Sequence, residues 1–150
     1  MNIYIGADHR GFKLKEALKA RLVAQGMHVV DVGGTGEPTD DYPDFAAKVG
    51  EAVSKNPDDR GILICGSGVG VSIVANKFPS VRASLIFDPQ QGHDSRSDED
   101  PNVLTLSADY TPEAKAIEIV DAWLATPFSG AERHVRRVGK IGKIERSLSH

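Results

Sequence analysis

The stretch Ile-Leu-Ile-Cys-Gly-Ser-Gly-Val-Gly-Val-Ser, residues 62–72, decides the fold class of this chain. Together with Gly61 it begins as a continuous apolar run ending at Cys65, which is typical of a strand buried on both faces of a parallel sheet. A glycine-rich turn follows, and the apolar pattern after it predicts a helix over residues 69–78. A strand, a tight turn and a helix in this order indicate an α/β fold.

Strand and helix patterns alternate along the rest of the chain. The predicted strands cover residues 2–6, 28–32, 61–65, 82–87 and 103–107, and the predicted helices cover residues 12–25, 43–55, 69–78, 112–124 and about 130–147. Strand–helix–strand units form parallel sheets with helices on both faces. We therefore expect a Rossmann-like three-layer α/β/α fold with a five-stranded parallel sheet, in a single domain over residues 1–150.

Local composition predicts two helix starts and one irregular segment. Thr111 and Pro112 are typical of an N-cap followed by the first helical residue. Ser129 and Glu132 have the spacing of a capping box. The polar and acidic residues 93–100 indicate a loop or a short frayed helix.

Composition narrows the classes of function. A chain of 150 residues with net charge −3 and 40% hydrophobic residues is an ordinary globular protein, and we expect neither nucleic acid nor membrane as a partner. The single cysteine excludes an internal disulfide, and the scattered histidines predict no metal site. The chain starts with a strand-like run and has no signal-peptide pattern, so we expect a cytoplasmic protein.

The glycine-rich turn is the strongest candidate for chemistry, because parallel α/β sheets bind ligands at the carboxyl ends of their strands. The backbone N–H groups of the turn and of the following helix start can hold a phosphate or an enediolate oxygen. Those expected to bind in this way belong to Gly66, Gly68, Val69 and Gly70. The same surroundings favour a thiolate at Cys65, and Ser67 is near enough to relay a proton. The alternative is a nucleotide-binding turn with a merely structural cysteine.

Other polar residues are candidates by position. Asp8 and His9 follow the first strand and are expected in the same crevice; alternatively, Asp8 is a plain N-cap and His9 is solvated. Tyr42 precedes a helix and can hydrogen-bond a sugar hydroxyl or simply pack there. Arg133 and Arg137 share one helix face, which suits a phosphate monoester, although such basic runs are more often just solvated.

Taken together, these segments resemble the ribose-5-phosphate isomerase B family and its galactose-6-phosphate isomerase relatives. The matching motifs run in order over nearly the whole chain: Gly6-Ala-Asp-His9 with Gly11-Phe12, Asp41-Tyr-Pro43, Gly61-Ile-Leu-Ile-Cys-Gly-Ser-Gly-Val-Gly70, Ala75-Asn-Lys77, Asn102-Val-Leu104, Asp121-Ala-Trp-Leu124, and Arg133-His134 with Arg137. The resemblance implies an isomerase without metal or cofactor, working as a homodimer or tetramer. Its sites would lie between subunits, with the last helix packed on a partner.

The resemblance also implies a role for each site residue. Cys65 moves the proton between C1 and C2, and Ser67 moves the proton between O1 and O2. Backbone N–H groups of residues 66–70 stabilise the enediolate. The phosphate is expected to bind His9, Arg133 and Arg137, and the sugar is expected to face Asp8 and Tyr42.

The chain departs from the family pattern at two places. Asp98 and Glu99 stand where many relatives have a His-Asn pair whose histidine opens the furanose ring, and Asp109 stands where relatives often have a phosphate-binding arginine. Three interpretations follow. Asp98 or the nearby His93 opens the ring, or the substrate cannot cyclise, or ring opening is left to solution.

The leading hypothesis is isomerisation of D-ribose 5-phosphate to D-ribulose 5-phosphate. Within the same class, the alternatives are allose 6-phosphate, galactose 6-phosphate and erythrose 4-phosphate as substrates. Outside it, one alternative is a non-catalytic module that binds a sugar phosphate or a nucleotide. Another is a redox sensor using Cys65, which would require a resolving thiol from elsewhere.

Overall fold

The computed structural model describes residues 1–149, which form five strands and six helices. The strands are β1 (Asn2–Ala7), β2 (His28–Asp31), β3 (Arg60–Cys65), β4 (Ala83–Leu85) and β5 (Val103–Ser107). The helices are α1 (Phe12–Ala24), α2 (Tyr42–Lys55), α3 (Val69–Ala75), α4 (Pro89–Glu99), α5 (Glu113–Ala125) and α6 (Glu132–Leu148). Within residues 1–149, no helix combines the length and the apolar character that a membrane crossing requires.

The sheet is parallel throughout, with the strand order β2-β1-β3-β5-β4. One face is covered by α1 and α5, which bury residues such as Leu18 and Trp123. The other face is covered by α2 and α3, which bury Val49 and Val71. The predicted three-layer α/β/α fold with a five-stranded parallel sheet is confirmed.

Strand β3 lies at the centre of the sheet and contributes to both cores. Ile62 and Ile64 pack in the core under α1 and α5, whereas Leu63 and Cys65 pack in the core under α2 and α3. Because both faces of this strand are covered, every side chain from residue 62 to residue 65 is apolar. The unbroken apolar run in the sequence is the direct result.

Two predicted elements are shorter than expected. Helix α3 ends at Ala75, three residues before the predicted end, and β4 covers only Ala83–Leu85 of the predicted 82–87. The side chain of Asn76 accounts for the end of α3 and the start of β4, because it bonds the N–H of Ala83 at 2.8 Å and its carbonyl at 3.0 Å. These bonds turn the chain away from the helix and towards the sheet edge.

The prediction of a loop or a short frayed helix at residues 93–100 was wrong, because α4 is a regular helix of 11 residues. It starts at Asp88, whose side chain accepts the N–H of Gln90 at 2.8 Å. Its packing face carries no apolar stripe: the buried residues are Gly92 and Arg96, and the Arg96 guanidinium lies 5.4 Å from the ring centre of Trp123. A helix buried through glycine and arginine gives no hydrophobic periodicity to detect.

Both predicted helix starts were also wrong in detail. Helix α5 has Pro112 at its N-cap, so Thr111 lies outside the helix and does not cap it. Helix α6 has Ala131 at its N-cap and no side-chain cap. Instead of forming a capping box with Glu132, the hydroxyl of Ser129 accepts the N–H of Ala131 at 3.2 Å and lies 2.7 Å from Nδ1 of His134.

Candidate active site

Three loops meet at the carboxyl ends of β1, β3 and β5. These strands are adjacent, with Ala7 in register with Ile64 and Cys65 in register with Ser107. The loops continue the sheet's hydrogen bonding: the N–H of Asp8 donates to the carbonyl of Ile64 at 3.4 Å, and that of Ala108 donates to Cys65 at 2.9 Å. The predicted crevice therefore forms around the end of β3.

Cys65 is 4% exposed and ends β3 with its sulfur turned back toward the glycine turn. The N–H of Gly68 donates to Sγ at 3.2 Å. Gly68 has a φ of +77°, and a Cβ there would lie 2.5 Å from Cδ1 of Leu85, so only glycine fits the turn. A backbone donor on the sulfur stabilises a thiolate, which is the form of cysteine that abstracts protons.

Ser67 and the free N–H groups of the turn lie next to this sulfur in the chain. Ser67 is half-buried, and its Oγ accepts the N–H of Val69 at 3.2 Å, which leaves its own proton available. The N–H groups of Gly70 and Val71 have no acceptor within residues 1–149. Of the predicted anion donors, Gly68 and Val69 are therefore engaged inside the turn, while Gly70 remains free for a ligand.

Asp8 and His9 follow β1 in the same crevice. Asp8 is buried, and its Oδ1 accepts the N–H groups of Arg10 and Gly11, both at 3.0 Å. The N-cap of α1 is Gly11, so Asp8 shapes the turn before the helix and is not a plain N-cap. His9 has a buried Nδ1 without a hydrogen-bond partner in the described chain. His9 is therefore not simply solvated.

Tyr42 closes another side of the crevice. It is the first residue of α2, and its ring lies against Gly70, where a Cβ would come within 2.6 Å of Cε2. The side chain is 39% exposed, and its hydroxyl has no hydrogen bond to residues 1–149. Tyr42 thus packs on the glycine turn, and its hydroxyl has no partner among the described residues.

Arg10 also belongs to this crevice, although no sequence pattern indicated it. Its guanidinium covers Gly66, and it forms an ion pair with Asp109 after β5. Positions 10 and 109 are far apart in the chain, and they meet only because β1, β3 and β5 are neighbours. The opposite charges were visible in the sequence, but their contact depended on the strand order.

The remaining predicted site residues lie elsewhere in the same chain. Asp98 and Glu99 end α4 shortly before β5 begins at Val103, whereas Cys65 is level with Ser107. At about 3.3 Å per residue, these two ends of β5 are roughly 13 Å apart. Asp98 and Glu99 therefore lie at the amino ends of the strands, whereas Cys65 lies at the carboxyl ends.

The beginning of α6 also lies at the amino ends of the strands. Nε2 of the buried His134 is 3.5 Å from Oδ1 of Asp98. The charge of Arg137 reaches Glu99, whose pKa is raised by burial and by Asp98 and is partly brought back by His134 and Arg137. Arg133 and Arg137 are exposed and form no ion pair within residues 1–149. One chain therefore does not bring its own arginine pair to its own Cys65.

His93 and the acidic residues near it form no metal-binding cluster within the described part of the chain. His93 is exposed on α4, and its Nδ1 lies 3.0 Å from Oδ1 of Asp94. In the part of the chain that the structure describes, no group of three or more His, Cys, Asp or Glu residues is placed to hold a metal ion. The functional groups in the crevice are a thiol, hydroxyls, backbone N–H groups, an imidazole, a guanidinium and the carboxylates of Asp8 and Asp109.

Comparison with known proteins adds a family to this geometry. A family model described as Ribose/Galactose Isomerase matches residues 3–141. Ribose-5-phosphate isomerase B of Escherichia coli is 43% identical over 143 residues, which make up 95% of this chain and 95% of that protein.

Solved structures agree over the same length. Ribose-5-phosphate isomerase B from Mycoplasma genitalium, with bound ribulose-5-phosphate, has a TM-score of 0.95 at 42% identity and covers 98% of this chain and 97% of its own. The protein of the same name from Clostridium thermocellum has a TM-score of 0.95 at 45% identity, with coverage of 99% and 100%. The similarity therefore extends over nearly the whole chain.

Proposed function

Because this chain belongs to the ribose/galactose isomerase family, we propose that it is an aldose–ketose isomerase that interconverts D-ribose 5-phosphate and D-ribulose 5-phosphate. The proposal is supported by full-length similarity to proteins of that name, one of them solved with bound ribulose-5-phosphate. The observation in this chain that carries it is the buried Sγ of Cys65, 3.2 Å from the N–H of Gly68 in a ligand-binding crevice.

The proposed reaction moves two protons. Cys65, as a thiolate, takes the proton from C2 of the open-chain aldose, and the electrons of that C–H bond form the C1=C2 bond of an enediolate with its negative charge on O1. Ser67 transfers the proton of O2 to O1. The carbonyl then forms at C2 while the Cys65 thiol returns its proton to C1, which yields the ketose and the original thiolate.

Neighbouring groups stabilise and orient this intermediate in our proposal. The free N–H of Gly70 is available to the enediolate oxygens, as in an oxyanion hole. Asp8 and Tyr42 face the sugar, since both lie in the crevice and Tyr42 has a free hydroxyl. His9 binds the phosphate from the same chain, and Arg133 and Arg137 bind it from another chain.

The proposed base also bears on where the reaction takes place. Cys65 is the single cysteine of the chain, and it acts only while its thiol is reduced. Reducing conditions are those of the cytoplasm, which is where we place the activity. The two proton transfers consume no electrons, so we propose no redox cofactor. We propose no metal either, because backbone N–H groups of the turn take the oxyanion-stabilising role in this mechanism.

We propose that the complete site forms between two copies of the chain. The first support is the position of Arg133 and Arg137, which lie at the amino ends of the strands while Cys65 lies at the carboxyl ends. The second is α6 itself, whose exposed Ile141, Ile144 and Leu148 share one face and line a groove of about 670 Å³. Apolar residues on one helix face are typical of an interface, so a homodimer or tetramer explains both features.

In such an assembly, Asp98 is our candidate for opening the furanose ring. Its carboxylate is 43% exposed and lies beside His134, at the same end of the strands as Arg133 and Arg137. A carboxylate next to an imidazole can take a proton from a ring hydroxyl. His93 is the competing candidate, since it is exposed on the same helix.

The first test is turnover of ribose 5-phosphate, allose 6-phosphate, galactose 6-phosphate and erythrose 4-phosphate by the wild type and by Cys65→Ala and Cys65→Ser. We expect ribose 5-phosphate to lead, and both variants to lose about 100-fold or more of kcat while remaining folded. Preference for another aldose phosphate would change the substrate, and wild-type levels of turnover in both variants would refute Cys65 as the base. No turnover of any substrate by the wild type would refute the isomerase.

The shared site is tested by mixing two inactive variants. Cys65→Ala is combined with the double variant Arg133→Ala/Arg137→Ala under conditions that allow subunits to exchange. If each site takes its cysteine and its arginines from different chains, half of the random dimers carry one intact site, and about a quarter of the wild-type activity returns. No recovery in confirmed mixed dimers would show that both sets act within one chain.

A further inference from the structure

Arg10 and Asp109 join the ends of three strands at the glycine turn. The Arg10 guanidinium lies so close to Gly66 that a Cβ there would be 2.1 Å from Cζ and 2.4 Å from Nε. Nη2 of Arg10 forms an ion pair with Oδ2 of Asp109. The N–H of Asp109 in turn donates to the carbonyl of Gly66 at 3.0 Å. Arg10 is thus held directly over the turn that follows Cys65.

The geometry points to Arg10 as a substrate-binding residue that contacts the phosphate group, with Asp109 as the residue that positions its guanidinium. This inference rests on the proposed isomerase function. The Arg10 side chain is 53% exposed, and within residues 1–149 only Nη2 has an acceptor. A guanidinium carries five N–H donors, so the others remain available to phosphate oxygens, which they match in geometry.

The distribution of charge favours this role. In the proposed assembly, Arg133 and Arg137 reach the phosphate only from a partner chain. Within this chain, the buried Lys15 is occupied by Asp31 and two backbone carbonyls. His9 is the other predicted phosphate ligand in this crevice, and a guanidinium, unlike an imidazole, cannot be deprotonated in a protein. Arg10 therefore adds a permanent positive charge beside the turn.

A purely structural role is a weak explanation for this pair. Exposed ion pairs contribute little to stability, because water screens them and ordering the side chains costs entropy. The chain contains a matched example: Arg21 and Asp121 join α1 to α5 at 2.6 Å with exposures of 40% and 41%. That pair lies away from the glycine turn, so Arg21→Ala is the control for simple loss of an exposed Arg–Asp pair.

The test measures KM for ribose 5-phosphate, inhibition by inorganic phosphate, and direct binding of inorganic phosphate by calorimetry. We expect Arg10→Ala to raise KM and to weaken phosphate binding by about 10- to 100-fold with little change in kcat, since a hydrogen bond to a charged group is lost. Arg10→Lys should restore part of the loss, and Arg21→Ala should leave all three within about twofold of wild type.

Unphosphorylated ribose and Asp109 separate contact from general damage. Arg10→Ala should not lower kcat/KM for free ribose, which lacks the phosphate. Asp109→Ala should raise KM in the wild-type background and change little when added to Arg10→Ala, as expected for residues that act together. Equal losses on ribose and ribose 5-phosphate would overturn the phosphate contact, and additive effects would overturn the positioning role.

The two proposals fail in distinguishable ways. If the wild type turns over ribose 5-phosphate while Arg10→Ala keeps its KM and its phosphate affinity, the Arg10 inference is wrong and the isomerase stands. If the wild type turns over no aldose phosphate, the isomerase is wrong, and the calorimetric comparison of wild type with Arg10→Ala still decides whether Arg10 binds phosphate. Should Arg10→Ala fail to fold, Arg10→Gln replaces it, since it keeps the length of the stem but not the charge.

Discussion

The backbone N–H of Gly68 donates to Sγ of Cys65 across 3.2 Å, so the last residue of β3 and the N-cap of α3 are joined over the turn between them. The bond needs Gly68 at its left-handed φ of +77°. One backbone conformation thus determines the direction of the helix and the surroundings of the sulfur. Perturbing it should affect stability and chemistry together.

Replacing Gly68 by alanine tests this relationship. The new Cβ would lie 2.5 Å from Cδ1 of Leu85 and 3.0 Å from the carbonyl carbon of Leu106, at a φ that side chains rarely adopt. We expect the free energy of unfolding to fall by about 2–4 kcal/mol and kcat to fall with it. The control is Gly139→Ala in α6, where a Cβ meets nothing within 4 Å and a small gain in stability is expected. Equal stability of the two variants would contradict the argument.

Asp31 should give the protein an acid-sensitive contribution to stability. Burial acts to raise the pKa of Asp31, but hydrogen bonds from Lys19, the N–H of Gly33 and Lys15 outweigh it and lower the pKa below 3.8. A carboxyl whose folded pKa is lowered contributes stability above its unfolded pKa, and this is lost as the pH falls through the folded pKa. Because Asp31→Asn removes a carboxylate from the buried Lys15, it should cost about 2–4 kcal/mol at pH 7 and progressively less below pH 4. Chemical denaturation at a series of pH values measures this, and a loss independent of pH would contradict it.

Glu99 should show the opposite sign. Burial and the nearby Asp98 raise the pKa of Glu99 above 4.5, and His134 and Arg137 offset part of the rise. The folded state then binds more protons than the unfolded state, so stability decreases as the pH rises from 4.5 through the raised pKa. Glu99→Gln should remove this decrease and leave the protein at least as stable as wild type at pH 7.

The exposed Glu51 supplies the comparison for Glu99. Its pKa is lowered by the hydrogen bond and charge of Lys55, so its contribution to stability is retained above its ordinary pKa of 4.5 and is lost in acid. In the same denaturation series, Glu51→Gln should therefore change stability with the opposite pH dependence to Glu99→Gln. Parallel curves for the two variants would rule out the burial argument for Glu99.

Asp98→Asn tests ring opening by comparing two substrates. Ribose 5-phosphate forms a furanose ring, whereas erythrose 4-phosphate cannot close one through its blocked O4. If Asp98 opens the ring, the variant should lose about 100-fold in kcat/KM with ribose 5-phosphate and little with erythrose 4-phosphate. Its carboxylate also contacts His134 at 3.5 Å, so a thermal melt has to show that α6 remains in place.

His93→Ala decides between the remaining explanations. A substrate-dependent loss in His93→Ala but not in Asp98→Asn would transfer ring opening to the histidine. If both variants turn over ribose 5-phosphate at the wild-type rate, the ring opens in solution before binding. Steady-state rates with freshly dissolved sugar phosphate, measured for the two variants side by side, distinguish these outcomes.

Local patterns were sufficient where burial is simple. The β3 run from Ile62 to Cys65 is apolar because both faces of a central strand are covered, and α2 shows a helical period because it buries only one face. They were insufficient for α4, whose buried positions are Gly92 and Arg96. The packing of an arginine stem on Trp123 leaves no hydrophobic period in the sequence.

The amino-acid sequence was enough to predict the α/β class, the glycine turn after Cys65 and, through its ordered motifs, the family. Which distant residues meet depends on the tertiary structure. The order β2-β1-β3-β5-β4 brings Arg10 to Asp109. The direction of α4 places Asp98 beside His134, at the end of the strands opposite to Cys65. The physical reason is that periodicity records how each segment is buried against its immediate surroundings, whereas strand order results from the packing of the whole sheet, which no single segment encodes.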